Sequence, residues 1–205
     1  LCPPPLSPRV SGGFKMWAST MLYEPNPYVS VYCALCLALS SLHGVDMGGP
    51  LSAALDRAMR YCNSIDSHLS HRDYQYMSEK SKNAIRAFAL YTLTKAKNNV
   101  AAKAQALFNK HGLEGFTMES LGWMLVALSP AGKPAASVPE GRSAIPQLLQ
   151  FLRSLLPGSA AAPASSTLDI ILRHVQNNVS ETASTASFVT SYGDDGKLVL
   201  LHSDR

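Results

Sequence analysis

Two kinds of helix alternate along this 205-residue chain, and the alternation limits what it can fold into. A stretch that is apolar on nearly every side is followed by one that is apolar on a single side: 27–42 then 50–64, 79–96 then 100–110, 118–128 then 143–156. A helix apolar all round must be covered all round, whereas a striped helix is covered on one face. Their alternation predicts two concentric layers, as in an α/α barrel or a curved stack of helical hairpins.

Particular residues carry the pattern. In 27–42, Tyr28, Val29, Val31, Tyr32, Cys33, Ala34, Leu35, Cys36, Leu37, Ala38 and Leu39 leave no polar face. Next, Leu51, Ala54, Leu55, Ala58, Met59 and Cys62 recur at helical spacing, with Asp56, Arg57 and Arg60 opposite. Ile85, Phe88, Leu90 and Leu93 mark the second inner helix, and Val100, Ala104, Leu107 and Phe108 stripe its partner. Leu121, Met124, Leu125 and Val126 mark the third, which Ile145, Leu148, Leu149, Leu152, Leu155 and Leu156 are expected to cover. Leu35, Leu39, Leu90, Leu93, Leu125 and Val126 should be nearly inaccessible, and Arg57, Lys97 and Arg153 should face water.

Helix-end signals agree. Asn26-Pro27 and Gly49-Pro50 place proline in a first turn, where its missing N–H costs nothing. Thr117 suits an N-cap, and Gly44 and Gly112 follow helix ends. Residues 1–11 read as a tail. The polar stretch 64–78, with His68, His71, Arg72 and Asp73, reads as a loop, as do the Pro/Ala/Gly/Ser-rich 129–142 and 157–166. Leu168, Ile171, Leu172 and Val175 fit one more helix, ending near Asn177. From Ala186 the period falls to two, and Gly193-Asp194-Asp195-Gly196 supplies a turn, predicting a β-hairpin over 186–202. The expected fold is therefore mainly α: one α/α toroid domain over 1–205 with a C-terminal β-hairpin.

Composition narrows the function classes. With 46% hydrophobic residues, the chain can build a sizeable core. Charged residues make up only 16%, which suggests that some surface is covered by more protein. We read the chain, which opens on Leu1-Cys2-Pro3-Pro4-Pro5, as a portion of something longer. The net charge of +4 is dispersed, without the clustered basic patch of a nucleic-acid groove. No apolar run reaches the roughly 18 residues needed to span a bilayer, so no membrane contact is expected.

No catalytic motif stands out. Cys33 and Cys36 form a Cys-x-x-Cys pair, but inside an apolar helix and without a second pair at metal spacing. With Cys62 they read as small buried hydrophobes, and a disulfide from Cys62 to the first helix stays open. His68 and His71 lack a third ligand. Asp194 and Asp195 are explained by a turn. No catalytic residue, metal site or cofactor is expected. Asn178-Val179-Ser180 is a glycosylation sequon if the chain is secreted.

Two stretches resemble the alpha-macroglobulin family. Gly12-Gly13-Phe14-Lys15-Met16-Trp17, followed after a gap by Pro27-Tyr28 and Tyr32, resembles the Gly-Gly-Phe turn and first helix of the thioester domain, particularly in the large bacterial-type members. The run from Ser180 through the hairpin to Ser203-Asp204-Arg205 is similar to a later part of that domain. The resemblance implies an α/α toroid in a protein that traps proteases, outside the cell or at its surface. Its partners would be proteases and the other macroglobulin domains of the same chain. The family's thioester motif, Cys-x-Glu-Gln, is not found at Cys2, Cys33, Cys36 or Cys62, so no thioester residue is carried over. Phe14 and Trp17 should pack beneath the first inner helix, with Gly12 or Gly13 in a conformation hostile to Cβ. Two other readings share the helical pattern. One is a terpene cyclase or prenyltransferase-like barrel, which would need carboxylates absent from these helix ends. The other is a helical-repeat scaffold that binds protein.

Overall fold

The computed structural model describes residues 12–14, 25–129, 166–181 and 186–188. Within them the fold is mainly helical: α1 (Pro27–Leu42), α2 (Gly48–Asn63), α3 (Ile65–Leu69), α4 (Glu79–Lys95), α5 (Ala101–His111), α6 (Met118–Leu128) and α7 (Thr167–Asn177). The expected helix 143–156 and the expected strand and turn residues 189–202 lie outside the described residues, as do Trp17, Arg153, Ser203, Asp204 and Arg205.

The helix starts follow from capping chemistry. Asn26 Oδ1 accepts the Val29 N–H at 3.0 Å, leaving Pro27 where no N–H is needed. Thr117 Oγ1 accepts from Ser120 N while Ser120 Oγ accepts from Thr117 N, a reciprocal capping box. Ser166 and Asp169 repeat that exchange at α7. α2 begins two residues earlier than its proline suggests. Asp46 Oδ1 takes the Gly48 N–H at 3.0 Å, which lets Gly48 and Gly49 form the first turn.

α4 is the centre of the fold. It packs against α1, α2 and α6, and buries Ser81, Asn83, Ala84, Ile85, Ala87, Phe88, Ala89, Leu90, Thr92 and Leu93. Its small residues let neighbouring helices approach from several sides. α6 in turn meets α5 and α7, where Met124, Ala127 and Ile171 are fully buried or nearly so. Phe88 joins α4 to α6 and α1 through aromatic contacts, stacked on Trp123 at 4.4 Å and tilted against Tyr28 at 5.7 Å.

Three expectations are corrected. First, α1 and α6 are not buried all round. α1 buries only Pro27, Ser30, Val31, Ala34 and Ala38; Cys36 is exposed, Tyr32 is 53% exposed, and Leu35 and Leu39 are half-buried. α6 buries Ser120, Leu121, Met124 and Ala127, while Leu125 and Val126 are half-buried. Apolarity states what a helix could bury, whereas neighbours decide what it does bury. Second, 64–78 is not a plain loop. It forms α3 and a short 3-10 turn at Arg72–Tyr74, because Ile65, Leu69, Tyr74 and Met77 anchor it in the core. Third, Arg57 is half-buried because the Gly12 turn lies against it, and Leu51, in the first turn of α2, is exposed although it shares a face with the buried Ala54 and Ala58.

Past α7, Val179–Glu181 pairs antiparallel with Ala186–Phe188, Ser180 opposite Ser187. The strand expected to begin at Ala186 therefore has an upstream partner that the alternation did not indicate.

Candidate functional site

The Gly-Gly-Phe segment is clipped onto the start of α1. The Phe14 N–H donates to Ser30 Oγ at 2.8 Å, and the Asn26 N–H donates to the Phe14 carbonyl at 3.0 Å. Ser30 Oγ–H is positioned by the Asn26 carbonyl at 2.7 Å and the Phe14 carbonyl at 3.2 Å. This network explains a serine buried among the apolar residues of the first half of α1. Gly12 has φ +81°, and a Cβ there would run into the Arg57 carbonyl, whose carbon would lie at 2.6 Å. A Cβ on Gly13 would meet Pro25 and lie 2.6 Å from the Tyr61 ring. Both glycines are thus required by close backbone approach. Phe14 packs half-buried against the core. Pro27 is buried, Tyr28 is half-buried and Tyr32 is exposed, so the motif residues occupy three different environments.

A second feature is an open groove of 470 Å³ between α4 and α5, walled by the end of α2 and by α3. That is within the roughly 300–1,000 Å³ range of ligand pockets. Its floor is apolar, formed by Ile65, Ala89, Leu90 and Leu93, with Ala106 and Leu107 on the α5 wall. Its rim is charged: Arg86, Lys103 and Lys110 against the single carboxylate Asp66. Arg86 is held rigidly. Its Nε donates to Asp66 at 2.6 Å, and its Nη1 donates to Glu79 at 3.1 Å and to Asn83 Oδ1 at 2.8 Å. Asn83 is itself anchored by donating to the Gly115 carbonyl at 3.1 Å. Partial desolvation pushes the Glu79 carboxyl up, but the Arg86 hydrogen bond and charge, with Lys82, outweigh it and lower the pKa. His111 sits at the groove with Nε2 buried and without a hydrogen-bond partner. Desolvation first, then the Lys110 and Arg86 charges, lower its pKa.

A half-buried carboxylate lies elsewhere, on the first turn of α6. Glu119 Oε2 is buried without a partner, and desolvation raises its pKa. Burial first and then Glu119 and Tyr32 raise that of Tyr28.

Cys33, Cys36 and Cys62 are free thiols: half-buried, exposed and buried respectively. Only Cys62 therefore fits the reading of all three as buried hydrophobes. Burial pushes the Cys62 thiol up to about 12. His68 stacks on Tyr61 at 3.9 Å, and His71 Nδ1 accepts from Asp73 N, so the two serve separate local roles. Among the described residues no group of three His, Cys, Asp or Glu could hold a metal ion, and no helix is long and apolar enough to cross a membrane. Asn178 caps α7, its Nδ2 donating to the His174 carbonyl at 2.8 Å.

Sequence reasoning missed the groove. Its signal was there: positions 86, 89, 90, 93 and 103, 106, 107, 110 both follow helical spacing. Periodicity assigned Leu107 to a covered stripe and could not show that the stripe borders an open channel. Comparison of the chain with protein-family models, with curated proteins and with solved structures found no match.

Proposed function

We propose that this chain is a structural, non-catalytic helical module of an alpha-macroglobulin-like endopeptidase inhibitor, a protein that traps proteases outside the cell. In this reading its hairpins close as part of an α/α toroid carrying a β-hairpin. One observation carries the reading. Gly12-Gly13-Phe14 and the helix that begins at Pro27-Tyr28, the two halves of the motif behind the resemblance, meet as one clip through Ser30 and the preceding Asn26, with no room for a Cβ on either glycine. The packing of α1 against α2, the first of the expected helical pairs, supports it.

Trapping has a distinctive assay. The intact polypeptide containing this chain is incubated with trypsin, and hydrolysis of casein and of a small chromogenic peptide is followed together. An enclosed protease loses casein hydrolysis and keeps peptide hydrolysis. Loss of both activities, or of neither, overturns the proposal.

A further inference from the structure

We propose that the groove between α4 and α5 is a docking site for an acidic amphipathic helix of a partner protein. The two walls are built alike. α4 supplies Arg86, Ala89, Leu90 and Leu93, and α5 supplies Lys103, Ala106, Leu107 and Lys110. Each set repeats at i, i+3, i+4 and i+7, so each wall is one continuous helical stripe.

Charge decides the occupant. Three cations and one carboxylate line the groove. Arg86 is already shared between Asp66 and Glu79, both within hydrogen-bond distance. The uncompensated charge is therefore on Lys103 and Lys110. Among the described residues Lys103 touches only a neutral group, Asn63 Oδ1 at 3.2 Å. Both lysines are exposed and stand one heptad apart, about 10 Å along the axis at 1.5 Å per residue. A helix lying alongside α5 presents carboxylates at i and i+7 with that same spacing. Between the lysines, the exposed Ala106 and the half-buried Leu107 offer an apolar strip for the partner's residues at i+3 and i+4. Helix-in-groove recognition uses this combination of apolar anchors and rim charges. The inference stands apart from the protease-trap reading, since it needs only this groove.

The test uses the whole 205-residue chain and a labelled peptide of three repeats of Glu-Ala-Ala-Leu-Leu-Ala-Gln, followed by fluorescence anisotropy. A matched peptide carries Lys in place of Glu. The acidic peptide binds and the basic one does not. Lys103→Glu with Lys110→Glu weakens the acidic peptide on the order of tenfold or more and creates binding for the basic peptide. Arg72→Glu with Lys80→Glu, exposed and outside the groove, changes neither. Circular dichroism confirms that each variant stays helical. Equal binding of both peptides, no binding by a folded chain, or equal loss in the two double variants overturns the proposal. So does a groove that takes laurate but not the acidic peptide, which would assign it to small anionic amphiphiles.

Discussion

Replacing Gly12 by alanine should cost far more than the same change at Gly44, although both glycines have positive φ, +81° and +74°. At Gly44 nothing lies within 4 Å of the new Cβ, so the penalty is conformational alone, about 1 kcal/mol. At Gly12 the same penalty is joined by a clash with the Arg57 backbone, which belongs to α2 and cannot swing away like a side-chain tip. The loss saturates at what docking of the turn contributes. Three hydrogen bonds join Phe14 to Ser30 and Asn26. At about 1 kcal/mol each, with about 1 kcal/mol for half-burying the phenyl ring, docking is worth roughly 4 kcal/mol. Urea melts of the full chain measure the difference. At an m-value of about 2 kcal/mol/M, Gly12→Ala moves the midpoint by up to about 2 M and Gly44→Ala by about 0.5 M. Gly122→Ala serves as the opposite control. Gly122 is exposed in α6 with nothing within 4 Å of the added methyl, so the change should stabilise by about 0.5–1 kcal/mol. A Gly12→Ala loss no larger than that of Gly44→Ala would refute the docked turn.

Three further outcomes are expected. Among the three described cysteines, Cys36 should be alkylated first by iodoacetamide and Cys62 last, because Cys36 is exposed and the buried Cys62 thiol is pushed up to about 12; peptide mass mapping that finds Cys62 modified before Cys36 would contradict the packing of α2. His111 has its folded-state pKa lowered below 6.5, so its contribution to stability is present above that value and is lost as pH falls; His111→Gln should flatten the decline measured by thermal melts between about pH 7.5 and 5.5, and an unchanged slope would exclude this cause. Glu119 has its folded-state pKa raised above 4.5, so its favourable contribution is present below that pH and lost as pH rises; Glu119→Gln should therefore raise the melting temperature at neutral pH, with the gain disappearing near about pH 4, and a uniform loss would contradict the unpartnered carboxylate.

Local chemistry was legible in the residues. Asn26-Pro27, Thr117 and Gly112 set helix boundaries because caps and breakers act over one turn, within reach of neighbours in sequence. The striped faces of α2 and α5 were legible for a similar reason, since side-chain direction repeats with the helix itself. Tertiary structure alone decided which apolar helix became the centre. α1 and α6 are the more apolar sequences, yet α4, which carries Glu79, Lys80, Lys82, Arg86 and Lys95, is the helix enclosed on nearly every side, while Tyr32 and Cys36 of α1 face outward. It also decided the meaning of Ser30, buried because a turn sixteen residues upstream bonds to it. The groove depends on tertiary placement too. Asp66 reaches Arg86 across twenty residues of sequence, and Lys103 reaches Asn63 across forty. A periodic pattern records the direction in which a side chain leaves its own helix. What waits there is set by chain segments distant in sequence, whose packing no local spacing encodes.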